Sequence, residues 1–138
     1  MITKKALITG IAGQDGAYLS KLLLEKNYKV FGIIRQKNKN SLWRLEKLKI
    51  KNKIKIIKKN LNNFKVVFKL IKKEKFDEIY NLASSSSVAE SFKDPRKYLI
   101  NNSEIVINIL ESIRLVSSKT KFFQVSSSEI YGNNFQKQ

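Results

Sequence analysis

The stretch "ITGIAGQDGAY", residues 8–18, sets glycines at 10, 13 and 16 between an apolar run and a segment with helical spacing. Read as strand, turn and helix start, it fits a backbone that turns sharply at Gly10, approaches a ligand closely at Gly13 and packs a helix tightly at Gly16. The free amides and positive dipole end of such a helix suit a diphosphate. Glycine turns after strands are also common as plain turns, so the flanking elements decide between the two readings.

Outward from this stretch, short β-rich runs recur at "ALIT" (6–9), "KVFGII" (29–34), "KIKII" (53–57), "EIYNLA" (78–83) and "KFFQVS" (121–126). Each has the length of a strand. Between them lie helical stripes: Tyr18, Leu19, Leu22 and Leu23; Phe64, Val67, Phe68 and Ile71; Ile105, Ile109, Leu110 and Ile113. "SLWRLEKLKI" (41–50) reads as a short helix, residues 38–41 and 84–87 as polar loops, and Pro95 as the first turn of a long helix capped by Asp94. Strand and helix in alternation predict an α/β domain with a doubly wound parallel sheet and helices on both faces. In that context the glycine stretch sits where dinucleotides dock, which favours the phosphate cradle.

Composition narrows the chemistry. A chain of 138 residues fits one domain. It has no cysteine and no histidine, which excludes disulfides, thiol nucleophiles, imidazole bases and thiolate or imidazole zinc sites. The net charge of +17 invites a nucleic-acid reading. Against it, only Arg35, Arg44, Arg96 and Arg114 are arginine, and among the lysines crowded over residues 47–75 the only aromatics are Phe64 and Phe68, which belong to a helical stripe rather than to a stacking surface for bases. A solvated basic surface with no nucleic-acid partner is the expectation. No run approaches the ~18 apolar residues of a membrane span, and the apolar start is cut by Gly10 and Gly13 as no signal peptide is. A cytoplasmic protein without a membrane partner is therefore expected.

The end of the second strand should declare the cofactor, since an acidic residue there accepts from a free ribose 2′-hydroxyl. This chain has Arg35, which favours a 2′-phosphate and so NADP, with Lys37 and Lys39 as added charge. After the fifth strand, "VSSSEIYG" (125–132) offers a hydroxyl and a carboxylate: if extended, Ser127 and Glu129 share one face. They would suit proton movement at a substrate oxygen. A polar strand end whose serines tie up backbone groups is the equal alternative.

"ALITGIAGQDGAYL", "EIYNLA" and "SSSEIYG", in this order, resemble the GDP-mannose 4,6-dehydratase family within the extended short-chain dehydrogenase/reductases. Gln14-Asp15 inside the glycine turn is the most specific feature. The resemblance implies a Rossmann-like fold binding NADP through Gly10, Gly13, Gln14, Asp15, Gly16, Arg35, Asn60, Leu61, Leu82, Ala83, Ser84 and Ser86. It implies GDP-mannose as substrate, with Ser127 hydrogen-bonding the sugar C4 oxygen and Glu129 removing the C5 proton, and a homo-oligomer as the assembled state.

The chain departs from the family pattern at Asn60, where aspartate is usual, in "ASSSSV" (83–88), and at Ile105, which replaces a glycine. The resemblance covers only the amino-terminal part of a family member. The Tyr-x-x-x-Lys pair is not in the sequence, because Tyr131 is followed four residues on by Phe135. Residues 1–138 are thus read as an incomplete NADP-binding domain, expected to be inactive alone. A neighbouring nucleotide-sugar epimerase or reductase, and a non-catalytic dinucleotide- or nucleic-acid-binding module, are the alternatives.

Overall fold

In the computed structural model the described residues are 3–35, 42–85 and 88–127. Their elements are β1 (Lys5–Thr9), α1 (Gln14–Glu25), β2 (Lys29–Ile34), α2 (Trp43–Lys47), β3 (Lys55–Lys58), α3 (Phe64–Glu74), β4 (Glu78–Asn81), α4 (Val88–Lys93), α5 (Pro95–Val116) and β5 (Lys121–Gln124). The five strands form one parallel sheet in the order β3-β2-β1-β4-β5. The chain starts at the centre, winds to one edge, and returns to build the other. Its direction reverses between β1 and β4, and the carboxyl ends of those strands flank the crevice where such sheets bind ligands.

Both faces of the sheet are covered, which is why β1 and β2 read as nearly continuous apolar runs. Ala6, Ile8, Val30 and Ile34 pack on the side of α1 and α2 with Leu23 and Leu45. Leu7, Phe31, Ile33 and Ile79 pack on the other side, with Val67 and Ile71 of α3 and Ile105, Ile109 and Ile113 of α5. Phe31 and Phe76 meet edge to face with centroids 5.1 Å apart. Gly32 makes room on the first face: a Cβ there would stand 2.2 Å from Ile11 Cδ1.

Several expectations need correction. The α1 stripe is only half buried: Leu23 is in the core and Leu19 packs against it, but Tyr18 is 61% and Leu22 47% exposed. The rest of the buried face is Gly16, Ala17 and Ser20, small residues that permit close approach to the sheet. Leu110 of α5 is likewise exposed. β3 begins two residues later than "KIKII", and β4 and β5 end two residues before "EIYNLA" and "KFFQVS" do. The cap of α5 is as expected: Pro95 opens the helix and the Asp94 carboxylate accepts from Lys97 N–H at 3.0 Å.

At the amino edge of the sheet, away from the crevice, Glu78 takes Tyr80 Oη–H at 2.7 Å on one oxygen and Tyr28 Oη–H at 3.0 Å on the other, with Lys4 Nζ at 3.6 Å. Burial raises its pKa, but the two hydroxyls and the ammonium outweigh burial and hold it below the usual carboxylate value. Burial and then the Glu78 hydrogen bond push Tyr80 up to about 12. The carboxylate's contribution is therefore present above the unfolded value of 4.5 and is lost as pH falls through the lower folded value. Tyr80 acts in the opposite sense, its contribution holding below 10.0 and fading towards about 12. Glu78→Ala should destabilise by about 1–3 kcal/mol in urea at neutral pH. That gap should narrow as acid protonates the wild-type carboxylate; a pH-independent gap would show that ionised Glu78 is not its source.

Candidate functional site

The crevice is built first by the turn after β1. Gly10 takes φ +67°, and a Cβ there would meet Leu82 C and O at 2.9 Å, so the turn presses on the loop after β4. Gly13 N–H closes the turn on Gly10 O at 2.9 Å. Gly13 also stands at the N-cap of α1 and gives it no side-chain cap, whereas Asn63 and Asp94 cap α3 and α5. The first amides of α1 therefore face the crevice without an intrahelical partner. Arg44 adds charge here: its Nη1 donates to Ala12 O at 3.2 Å, with its guanidinium 4.6 Å from the Trp43 ring.

Beneath the turn, Thr9 joins β1 to β4. Its buried hydroxyl donates to Asn81 Oδ1 at 2.5 Å and accepts Leu82 N–H at 3.1 Å and Ala83 N–H at 2.9 Å. Asn81 Nδ2 continues to Gln124 Oε1 at 2.8 Å, so one polar chain crosses β1, β4 and β5 at their carboxyl ends.

α5 holds the crevice walls from behind. Asn108 Nδ2 donates to Leu61 O at 2.9 Å. Asn102 brackets Ser85, accepting its N–H at 2.8 Å and donating to its carbonyl at 3.3 Å. Asn62 Nδ2 donates to Glu104 Oε2 at 2.8 Å and to Asn101 O at 3.2 Å. The loops after β3 and β4 are thus pinned to one helix.

These parts enclose a cavity of about 460 Å³ that brings together Gly10, Gly13, Arg35, Leu61, Leu82, Ala83 and Ser84 of the expected cofactor residues. Gly16 lies buried under the turn. Asp15 is exposed in the first turn of α1, and Gln14 lines a separate cleft between α1 and α2 with Tyr18 and Trp43. Asn60 is not on the wall; its Oδ1 accepts Asn62 N–H at 3.1 Å, and Asn62 lines the cavity instead. Ile105 fills part of the wall. Ser86, Lys37, Lys39 and Glu129 lie outside the described residues.

A second cavity, of about 700 Å³, opens over β4 and β5 and shares Ala83, Ser84 and Ser85 with the first. Ser127 is on its wall, as is Tyr98, whose buried hydroxyl has no hydrogen-bond partner among the described residues. The expectation of an extended "VSSSEIYG" does not hold at its start. Ser126 takes φ +63°, a left-handed conformation that interrupts the extended run just ahead of Ser127, while the shared face expected for Ser127 and Glu129 turns on residues 128 and 129, outside the described residues.

Sequence reasoning missed Asn62, Lys59, Asn102 and Asn108. Three of these side chains act through contacts with residues 17 to 47 positions away in the chain, and Lys59 joins the wall beside Arg35 because β2 pairs with β3. The available signal was the polar run "NNSE" (101–104) followed by Asn108 among the apolar residues 105–110 of α5. Among the described residues no three His, Cys, Asp or Glu side chains group as metal ligands, and no helix is long and apolar enough to cross a membrane.

Known proteins share this fold. The structure superposes on the UDP-Glc/GlcNAc 4-epimerase of Campylobacter jejuni with a TM-score of 0.81 at 30% identity, covering 94% of this chain and 39% of that one. A GDP-mannose 4,6-dehydratase of Yersinia enterocolitica is 38% identical over 136 residues, and one of Cricetulus griseus 39% identical over 139. In each case 94% of this chain is covered, and the chain spans about 37% of the relative's length. The sequence model described as GDP-mannose 4,6 dehydratase matches residues 7–138, from β1 through the glycine turn and beyond the last described strand. With that match running along nearly its whole length, the chain belongs to the GDP-mannose 4,6-dehydratase family.

Proposed function

We propose that this chain is the dinucleotide-binding portion of a GDP-mannose 4,6-dehydratase, a hydro-lyase that makes GDP-4-keto-6-deoxymannose with bound NADP. The observation that carries the reading is the uncapped start of α1 opening, through Gly10 and Gly13, into the cavity that also holds Arg35. The fit is chemical. Amides at a helix start suit a diphosphate, and Arg35 with Lys59 on the same wall suits a 2′-phosphate beyond the end of β2.

When bound, the nicotinamide ring supplies hydride acceptance and return. The protein residues do the rest. Arg35 and the α1 amides would fix the adenosine half and the diphosphate, and Ala83, Ser84 and Ser85 line both this cavity and the second one over β4, where the sugar would lie. There Ser127 holds the sugar C4 oxygen by hydrogen bond. Glu129, in the role the family resemblance gives it, takes the C5 proton and assists loss of the C6 hydroxyl as water. The homo-oligomer stays part of the proposal, supported by the exposed Ile100, Ile107 and Leu110 on α5.

Arg35→Ala should weaken NADP+ binding by about tenfold or more and leave NAD+ binding nearly unchanged, since a charged hydrogen bond contributes about 1.5–3 kcal/mol. Equal losses for both dinucleotides in a calorimetric titration would remove Arg35 from the 2′ position. The dehydratase assignment is tested by turnover. A chain extended to the length of its relatives should convert GDP-mannose, and failure to do so with NADP+ bound would leave only the dinucleotide site.

A further inference from the structure

Arg35 stands one residue past β2, on the exposed rim of the cavity. A long side chain there samples many rotamers, and fixing one costs entropy each time a ligand binds. In this protein the guanidinium is already held: its Nη2 donates to Asn62 Oδ1 at 3.1 Å. Asn62 is itself fixed at both ends of its carboxamide and at its backbone. Nδ2 donates to Glu104 Oε2 and Asn101 O of α5, and the backbone N–H donates to Asn60 Oδ1.

The order of these contacts matters as much as their number. Glu104 is the only carboxylate in the relay, and it takes its hydrogen bond from Asn62 rather than from Arg35. A neutral carboxamide thus stands between the anion and the guanidinium. It orients Arg35 without neutralising it, and among the described residues the remaining guanidinium donors are left for another acceptor. A carboxylate at position 62 would pair with Arg35 directly and repel an incoming phosphate.

We propose that Asn62, clamped to α5 through Glu104 and Asn101, is a positioning residue that aims Arg35 at the 2′-phosphate and thereby sets the preference for NADP over NAD. The inference rests on the proposed NADP site and deepens it.

The experiment is calorimetric titration of NADP+ and NAD+ into the wild-type chain and into Asn62→Ala and Asn62→Asp, with the Tm of each unliganded protein. Asn62→Ala should weaken NADP+ about fivefold, the worth of one hydrogen bond, and leave NAD+ within twofold. Asn62→Asp should weaken NADP+ by about thirtyfold or more, since it adds like-charge repulsion. A purely structural residue would lower Tm and both affinities together, and that result would overturn the proposal. So would an unchanged NADP+ to NAD+ ratio in both variants. A wild-type chain that binds both dinucleotides equally would overturn the NADP site itself, an outcome distinct from variants that keep a wild-type preference.

Discussion

Gly16→Ala is expected to abolish measurable dinucleotide uptake and to lower the Tm by about 10 °C. An added Cβ would lie 2.6 Å from Gly10 O, 2.7 Å from Ile11 Cα and 3.0 Å from Ile11 C. All three are backbone atoms, so no rotamer change relieves the clash, and the turn must move off α1. Overpacking of this kind costs about 1–3 kcal/mol. The effect on binding is larger, because Gly10 O also accepts Gly13 N–H, and the amides that would hold a diphosphate move with it. Loss of two charge-assisted hydrogen bonds corresponds to a fall in affinity of about a hundredfold or more. Gly13→Ala is the control: its backbone has φ −72° and the new Cβ meets only Gly10 O, at 3.2 Å. That variant should fold with nearly the wild-type Tm and still bind poorly, because its methyl group stands where the ligand approaches. A folded Gly16→Ala protein with wild-type affinity would show that this contact does not shape the cradle.

Thr9→Val should destabilise the protein by about 3 kcal/mol in urea denaturation. The two side chains are nearly the same size, so the change isolates the hydroxyl. Thr9 is fully buried, and its Oγ1 satisfies Asn81 Oδ1, Leu82 N–H and Ala83 N–H together. Valine would leave all three in a site that valine itself keeps dry. Thr9→Ser keeps the hydroxyl and should cost about 1 kcal/mol, the value of one buried methyl group. A valine variant within 0.5 kcal/mol of wild type, on the order of an ordinary surface substitution, would mean that the loop after β4 is held by other contacts.

The β1–turn–α1 unit was legible because each feature is local. An apolar strand, a glycine that needs positive φ and a helix start occur in order within residues 6–25. The doubly wound sheet followed from alternation alone, since buried parallel strands carry their signal in unbroken apolar runs. What escaped has a common cause. Apart from Leu23, the buried face of α1 is made of Gly16, Ala17 and Ser20, which a search for large apolar residues passes over, although small size is what lets the helix sit close to the sheet. Arg35 could be singled out from its place after β2, but its partner Asn62 and the Glu104 behind it meet only once α5 packs against the loop after β3. Asn60 and Asn62 show the same limit at shorter range. The family pattern pointed to residue 60, and the turn directs that carboxamide to a backbone amide while residue 62 faces the cavity. Beyond β5 the extended run is interrupted at Ser126, which adopts a left-handed conformation that its residue type does not announce.

The account depends on a nicotinamide dinucleotide seated with its diphosphate at the start of α1. Isothermal titration of NADP+ into the folded 138-residue chain, with NAD+ in parallel, tests this most directly. One NADP+ should bind per chain, about tenfold or more tighter than NAD+, as a single charge-assisted contact to a 2′-phosphate requires. A protein whose circular dichroism shows the folded α/β structure, yet which takes up neither dinucleotide, would contradict the account.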